Sequence, residues 1–449
     1  MWSVLSAAAC APVGPNYARP AMPVPPQYRF DATARAESLA DLPWWRVFDD
    51  PVLQVLVREA VANNLDLRAA AARVQEARAR AGIVRSFLFP QVDGLASYAV
   101  QQTQSDDDFL HGGTFGLAST WELDVFGRIR REHESAIAQF LATEQGRRGV
   151  LVTLVGDVAS TYFQLRELDV QLNIALRTLK INDETVAYFT NRLNGGVSNR
   201  LEVDQVRSNR QQTAATIPEI ERQIGVAENA MSLLLGRPPS AIVRNASAFE
   251  APAVPAVPPG LPASLLERRP DVMQAEQLLV AANADIGAAR ALFFPAISLT
   301  GFVGGVSGDV ATLLGGAGVA WTLGANLLQP VYNAGRNKRT LEAARAHFEA
   351  ARAEYQKAAL NGYREVSNAL VTIQKLAAAR AERQIGAEVL QDAADLARDR
   401  YSNGIATSLE ILIADQQLFQ QQLLVAQTVG AELRARADLY RALGGGWQQ

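Results

Sequence analysis

Cysteine and histidine, two residue types that often carry chemistry, are almost missing from this 449-residue sequence. A single cysteine, Cys10, excludes an internal disulfide bond. The three histidines, His111, His133 and His347, are too scattered to predict a zinc cluster or a Ser-His-Asp triad. We therefore predict no metal and no cofactor. We also do not expect an enzyme, since no set of nucleophile, base and oxyanion donors can be assembled.

Long apolar runs and an excess of one charge are also absent. No run of eighteen apolar residues occurs, so the sequence predicts no transmembrane helix. Lysine and arginine number 43 and aspartate and glutamate number 46, which gives a net charge of −3. The sequence has no basic stripe with interleaved aromatic residues, the pattern that nucleic-acid binding requires. Nucleic acid is therefore not expected as a partner.

Proline is missing from two long segments whose apolar residues have helical spacing. One segment runs from Gly127 to Leu193 and the other from Gly335 to Arg400. The first segment has 67 residues, and a single helix of that length would be about 100 Å long. Because a compact globule does not need such a helix, we predict an elongated helical body.

A short glycine-containing stretch occurs twice and indicates an internal duplication. Residues 192–203 read RLNGGVSNRLEV, and residues 400–411, which begin 208 positions later, read RYSNGIATSLEI. Gly196 and Gly404 can take the positive φ that ends a helix, and Ser198 or Asn199 at the first stretch and Thr407 or Ser408 at the second can cap the next helix. Each stretch is therefore predicted to be the tip of a helical hairpin. Gly127-Arg128 and Gly335-Arg336 keep the same spacing, so the chain is predicted to contain two tandem copies of one unit.

Two further segments alternate with a period of two, which predicts β-strands. The largely apolar face carries Phe115, Leu117, Ser119, Trp121 and Leu123 in the first copy and Val319, Trp321, Leu323, Ala325 and Leu327 in the second. Strands of about 10 residues with an aromatic face suit a bilayer, although a soluble hairpin on a core would have the same pattern. Four strands cannot close a barrel, and an open edge in lipid is costly. A membrane location therefore requires a barrel shared between subunits.

The same patterns predict the organisation of the chain. Cys10 follows a short apolar run that ends in small residues, which is typical of a bacterial lipoprotein signal, although a free thiol in a leader is the alternative. The chain is predicted to begin with a signal remnant that has a lipidation site at Cys10 (1–10), followed by an N-terminal strap and equatorial segment (11–65). A first repeat (66–236), with a hairpin at about 91–125 and a tip at about 192–200, is joined by an equatorial connector (237–270) to a second repeat (271–443). The second repeat has a hairpin at about 296–328 and a tip at about 400–408, and a C-terminal end (444–449) follows it.

Several motifs, taken in order, resemble the outer-membrane efflux proteins of the TolC/OprM/NodT type. They are CAPVGPNY at 10–17, WWRVFDDP at 44–51, WELDVFGR at 121–128, ERRPD at 267–271, FFP at 293–295 and QPVYNAGR at 329–336. The resemblance covers nearly the whole chain. It implies an α+β membrane protein in which a long α-helical barrel is continuous with a transmembrane β-barrel. Each chain would give four strands, and a homotrimer would give twelve.

The resemblance also implies a function and partners. A protein of this family would be the outer-membrane exit channel of a tripartite efflux pump, lipid-anchored if Cys10 is processed, with a periplasmic tunnel. It would pass drugs or other small toxic compounds to the exterior. Its partners would be a periplasmic adaptor protein, an inner-membrane transporter, most simply of the RND type, and outer-membrane lipid.

In this family the periplasmic tips form the closed end, which assigns roles to specific residues here. Glu202, Tyr401 and Glu410 match gate positions, whereas Ala406 and Ile413 stand where a basic and a second acidic residue are usual. Glu202 and Glu410 could equally be acids that complement a helix N-terminus.

Four further tip residues are assigned to docking of the adaptor by the same resemblance. They are Arg192, Gly196, Arg400 and Gly404. Helix capping is the alternative role for them, since arginine in a last turn and glycine just beyond it are common at helix ends.

Two other functions fit parts of the sequence. A type I protein-secretion exit duct would share the same architecture. A periplasmic coiled-coil structural or adaptor lipoprotein would explain the long helices, but it would not explain two aromatic hairpins at equivalent places.

Overall fold

A computed structural model describes residues 12–30, 50–102, 109–244, 262–308 and 318–445. Cys10, the Trp44-Trp45 motif and the C-terminal residues 446–449 lie outside these ranges. The chain divides into two compact units. We call them the strand unit (Met1–Met22, Ala71–Gly146 and Met273–Ala358) and the tip unit (Pro23–Ala70, Arg147–Val272 and Ala359–Gln449).

The strand unit contains a four-stranded antiparallel sheet. Its strands are β1 (Gln91–Gln102), β2 (Phe109–Leu123), β3 (Ala296–Ser307) and β4 (Val319–Leu328), in the order β1-β2-β3-β4. The two hairpins meet where β2 pairs with β3, so β1 and β4 are the edges of the sheet. Among the described strands, neither edge has a second partner.

Large apolar side chains cover one face of this sheet and are exposed. Trp321 is 72% exposed, and Phe115, Leu117 and Leu323 are exposed as well. Trp121 is half-buried, and its indole Nε1 donates to the Leu88 carbonyl at 3.0 Å. Within the described ranges, this apolar face is therefore not packed into a core.

Two glycines bring the two hairpins into close contact. Gly116 on β2 is the register partner of Gly304 on β3. A methyl group built on Gly304 would lie 2.6 Å from the Gly116 Cα, and the Phe302 ring packs over both positions. Only glycine fits in this pairing.

A strap of residues 12–22 packs on the helical part of the strand unit. The Val13 N–H donates to the Phe126 carbonyl at 3.1 Å, and Asn283 donates to the Pro15 carbonyl at 3.0 Å. The Arg19 guanidinium forms a bidentate pair with Glu276 at 2.6 Å. These contacts hold the first part of the predicted N-terminal strap against the strand unit.

Two helices precede the first hairpin in sequence. The helix α1 (Pro51–Asn63) belongs to the tip unit, and α2 (Leu65–Ser86) belongs to the strand unit from Ala71 onward. Asp50 caps α1 by accepting hydrogen bonds from the N–H groups of Val52 and Leu53. This is the start that an aspartate before a first-turn proline predicts.

Two pairs of helices, each with a 67-residue helix and a 35-residue return helix, dominate the rest of the chain. They are α3 (Arg128–Asn194) with α4 (Arg200–Leu234), and α7 (Arg336–Ser402) with α8 (Ser408–Ala442). The short helix α5 (Pro262–Arg268) and α6 (Pro270–Ala291) lie between the pairs in sequence. The equal lengths confirm the internal duplication.

Charged groups buried between helices join the elements of the tip unit. The Arg269 guanidinium pairs with Asp271 and Glu365 and also donates to the Ala442 carbonyl at 2.8 Å. Glu167 on α3 pairs with Arg434 on α8. Such pairs cost desolvation, and the hydrogen bonds that complete them offset much of that cost.

No helix in the described ranges combines the length and the apolar character that crossing a membrane requires. Within the same ranges, no group of three or more histidine, cysteine, aspartate or glutamate side chains could hold a metal ion.

Candidate functional site: the paired hairpin tips

Both hairpin tips have the same backbone structure. Gly196 and Gly404 have φ values of 74° and 73°. At the first tip the Val197 N–H donates to the Arg192 carbonyl at 2.9 Å, and at the second the Ile405 N–H donates to the Arg400 carbonyl at 2.9 Å. This six-residue closure with a left-handed glycine is the Schellman motif. The capping role of these glycines therefore accounts for their repetition.

Each tip also begins its return helix with a capped N-terminus. At the first tip, Asn199 accepts a hydrogen bond from the Glu202 N–H at 3.0 Å, and the Glu202 carboxylate accepts one from Ser198. At the second tip, the Thr407 N–H donates to Glu410 Oε1 at 3.2 Å, as in a capping box. Arg400 lies 3.8 Å from the other oxygen of Glu410. Both glutamates thus stabilise helix starts, whatever further role they have.

Tyr401 connects the two tips. Its ring packs against Phe189 at a tilt of 34° with the ring centres 5.2 Å apart, and it meets Tyr188 edge-on at 6.3 Å. The Arg192 guanidinium lies 5.3 Å from the centre of the Tyr401 ring and 5.8 Å from that of Tyr188. We call Tyr188, Phe189, Arg192 and Tyr401 the tip latch.

The base of the tip latch is a small hydrophobic core. Phe189, Val203 and Val206 are buried there, and Leu412 of the second tip packs against them. Partial burial raises the pKa of Tyr401, and the nearby Arg192 opposes this rise. Tyr401 is therefore neutral at physiological pH, and it holds the tips together through ring contacts.

A buried carboxylate lies just above the second tip. Asp415 on α8 is 6% exposed and pairs with Arg398 on α7, which also pairs with the exposed Asp395. Burial raises the pKa of Asp415, and Arg398 counteracts the rise. The sequence offered one signal for this residue, an aspartate directly after the apolar run from Ile411 to Ala414, and sequence reasoning missed it.

The exposed face of α8 near the tip is nearly free of charge. A groove there is lined by Leu390, Ile413, Gln417, Gln420 and Leu424. After Glu410 this face thus presents amides and apolar groups. The absence of a second acid at Ile413, noted in the sequence, leaves no carboxylate in this lining.

The structure brings some of the predicted site residues together and separates others. Arg192 and Tyr401 are in contact, while Arg400 approaches Glu410. A methyl group built on Gly196 or Gly404 would meet no other atom within 4 Å among the described residues. Tyr188 and Phe189 are residues that sequence reasoning did not select.

A sheet with exposed apolar faces and two equivalent helical hairpins is the architecture of an outer-membrane channel. The chain matches the family model described as outer membrane efflux protein over residues 56–237 and 261–445. It is 35% identical to the cation efflux system protein CusC of Escherichia coli O6:H1 over 97% of this chain and 96% of that protein. It is also 35% identical to the solvent efflux pump outer membrane protein SrpC of Pseudomonas putida, over 100% and 97% of the two chains.

A solved structure agrees with these sequence relatives. The outer-membrane channel OprN superposes with a TM-score of 0.91 at 32% identity, covering 97% of this chain and 100% of that chain. The chain belongs to the outer membrane efflux protein family. The predicted family, fold class, exit-channel function and outer-membrane location with a periplasmic tunnel are thereby confirmed. The family is a transport component of efflux pumps, which implies partner proteins in the pump.

Proposed function

We propose that three copies of this chain form the exit duct of a tripartite efflux pump. The observation that carries the proposal is the sheet with an exposed apolar face and two edges, β1 and β4, that pair with no further strand among the described residues. Unpaired backbone groups at such edges cost several kcal/mol each in lipid. Pairing β4 of one copy with β1 of the next satisfies them, and three copies give twelve strands.

The mass of the purified protein tests this assembly. Protein extracted from outer membranes in mild detergent should have about three times the chain mass of 48.5 kDa, as measured by light scattering with the detergent subtracted. A monomer that stays folded without detergent contradicts the proposal.

We propose that the periplasmic end of the duct is closed at the tips, with Glu202, Tyr401 and Glu410 at the gate. The contacts of Tyr401 with Phe189 and Arg192 support this, since they tie the second tip to the first within each chain. Opening would separate these rings. Glu410, repeated three times around the axis, would give the opening a negative ring.

The two tips are also the proposed docking surface for a periplasmic adaptor. Arg192, Gly196, Arg400 and Gly404 shape two similar turns, so three chains would offer six. Exposed apolar side chains beside these turns support docking, namely Val197, Leu201, Ile405 and Leu409. The adaptor would link the duct to an inner-membrane transporter, for which we propose the RND type.

The proposed cargo is small organic compounds. The uncharged lining of Leu390, Ile413, Gln417 and Gln420 supports this choice over metal cations, for which carboxylate, imidazole or thioether groups would be expected. The two named relatives differ in cargo, since CusC is named for cation efflux and SrpC for solvent efflux. Resistance measurements in a host that lacks its own channel, with toluene and with copper or silver salts, distinguish the two cargoes. A type I protein-secretion duct remains the second candidate, and secretion of a reporter protein would favour it.

We also propose that Cys10 is lipidated. Pro12, two residues later, lies against Gly127 at the start of α3, and two extended residues reach only about 7 Å. This position supports an acyl chain that enters the leaflet near the strand ends. Mass measurement of the N-terminal peptide tests it, and an unmodified thiol contradicts it.

A further inference from the structure

The two places where a strand leads into a long helix have the same backbone but different charges. We call residues 121–134 the first junction and residues 329–342 the second junction. Gly127 and Gly335 have φ values of 79° and 82°. The Arg131 N–H donates to the Gly127 carbonyl, and the Arg339 N–H donates to the Gly335 carbonyl, both at 3.0 Å. The junctions are therefore structural equivalents within one chain.

The first junction neutralises its own cations. Asp124 accepts hydrogen bonds from the N–H groups of Ile129 and Arg130 at 3.0 and 2.9 Å, and from Arg130 Nε at 3.1 Å. Arg128 pairs with Glu122 and with Glu132, both at 2.7 Å. A carboxylate thus sits on the start of α3, between the helix and an arginine.

The second junction keeps the cations and loses these acids. The positions 208 residues after Glu122, Asp124 and Glu132 are occupied by Pro330, Tyr332 and Thr340. The cationic positions are retained as Arg336, Lys338 and Arg339, and all three are exposed.

The retained cations have few acidic partners among the described residues. Arg339 pairs with Glu342 at 2.7 Å at the surface. Within the described ranges, the side chains of Arg336 and Lys338 have no ion pair and no hydrogen bond. The second junction therefore carries a net positive charge that the other residues described by the structure do not balance.

Apolar and aromatic side chains adjoin these cations. Leu328 at the end of β4 is 71% exposed, Val331 is 95% exposed and Tyr332 is 89% exposed. Because the strands of this family cross the outer membrane, the second junction lies at the periplasmic boundary of the bilayer. Exposed tyrosine beside lysine and arginine just beyond an apolar strand is typical of a membrane interface.

We propose that the second junction is a binding surface for the anionic headgroup of a phospholipid in the periplasmic leaflet. The lipid phosphate takes the position that the Asp124 carboxylate holds in the first junction. Arg336, Lys338 and Arg339 bind the phosphate through charge-assisted hydrogen bonds. Tyr332 and Val331 contact the upper part of the acyl chains. The inference does not depend on the gate, the cargo or the adaptor.

Titration of the detergent-purified protein with dioleoylphosphatidylglycerol tests the proposal, with bound lipid counted by native mass spectrometry. The Arg336→Gln, Lys338→Gln, Arg339→Gln triple variant should bind this lipid roughly 100-fold more weakly, because each basic residue near an anionic headgroup contributes about 1 kcal/mol. Dioleoylphosphatidylcholine, which has no net charge, should bind the wild-type protein more weakly than the anionic lipid.

A charge-matched control lies further along the same helix. The Arg345→Gln, Arg352→Gln, Lys357→Gln triple variant removes the same charge from exposed positions of α7. It should bind the anionic lipid as the wild type does. Equal losses in both triple variants would reduce the effect to overall charge and overturn the proposal, as would unchanged binding in the Arg336 variant.

A second pair of variants tests the proposal even if the triple variant fails to assemble. Tyr332→Asp restores a carboxylate at the position equivalent to Asp124, and Tyr332→Leu removes the tyrosine without adding charge. Lipid binding should fall at least tenfold in the aspartate variant relative to the leucine variant. Equal binding by these two variants would mean that another subunit, and not a lipid, covers the second junction.

Discussion

The Arg192 guanidinium lies over the Tyr401 ring, 5.3 Å from its centre, and so joins two tips that are separated by more than two hundred residues. Tyr401 contributes only its ring to this contact, because its hydroxyl has no hydrogen-bond partner in the part of the chain that the structure describes. The tilted ring contact with Phe189 and the cation–π contact with Arg192 are therefore what hold the second tip.

This arrangement predicts that two substitutions of Tyr401 differ in their effect on the channel. Tyr401→Ala removes the aromatic ring contacts and the cation–π contact, which together contribute about 1–2 kcal/mol. The open fraction of the channel should rise about tenfold, since 1.4 kcal/mol changes an equilibrium by that factor. Tyr401→Phe keeps the ring and should behave as the wild type. Single-channel conductance in planar bilayers measures both, and a phenylalanine variant as leaky as the alanine variant would contradict the latch.

Two substitutions of Glu410 separate its proposed role in ion preference from its role in capping α8. Glu410→Gln keeps the side-chain hydrogen bond to the Thr407 N–H but removes the charge, so the preference for cations should fall while stability is retained. Glu410→Ala should lose both, with a stability cost of about 0.5–2 kcal/mol from the missing cap. Reversal potentials across a salt gradient report the first effect and thermal unfolding reports the second. If neither variant alters ion preference, Glu410 is a capping residue alone.

The buried Asp415 predicts a pH dependence of stability. Its pKa is raised above 3.8 by burial, with Arg398 opposing the shift. The folded chain therefore keeps the proton at pH values where the unfolded chain has lost it. Asp415 therefore contributes its full stabilising free energy below about pH 4, and this contribution is lost as the pH rises through the raised pKa. The free energy of unfolding changes by up to about 1.4 kcal/mol per pH unit in this window.

Thermal unfolding of the wild type and of Asp415→Asn between pH 4 and 7 measures this contribution. The difference in stability between the two proteins should change with pH in the stated direction. Asp395→Asn should reduce this pH dependence without removing it, because burial is the main cause of the raised pKa of Asp415 and the charge of the exposed Asp395 adds to it. A constant difference between Asp415→Asn and the wild type across this range would show that Asp415 stays ionised.

Gly430 is predicted to tolerate no side chain. A methyl group at this position of α8 would overlap the carboxylate of the buried Glu167, which pairs with Arg434. Gly430→Ala should lower the free energy of unfolding by about 1–3 kcal/mol, as overpacking does. Gly225→Ala on α4, where nothing lies within 4 Å, should instead stabilise the helix by about 0.5–1 kcal/mol. Equal behaviour of the two variants in thermal unfolding would contradict the packing argument.

The repeated tips were predictable because their determinants are local. Gly196 and Gly404 carry the positive φ that the helix ends require, and the acids three residues after each cap follow a short-range rule. The alternation in β2 and β4 is equally local, so the hairpins and their apolar faces could be inferred from the residues alone. The exposure of those faces could not, because a hairpin packed on a core has the same pattern.

The tip latch could not be predicted in this way. Tyr188 and Phe189 lie within a long helix with many apolar positions, and nothing in the sequence separates them from ordinary packing residues. Their contact with Tyr401 depends on how α3 and α7 lie beside each other at their ends. The pairing of Asp415 with Arg398 depends on the same long-range placement.

The glycine pair at the centre of the sheet lies where the two duplicated halves of the chain meet. Gly116 and Gly304 allow the backbones of β2 and β3 to touch, and the Phe302 ring is the side chain that shields them. The point where the main chains of the two duplicated halves approach most closely is thus covered by an aromatic ring from β3. Without that ring, the backbone of both glycines would lose this cover.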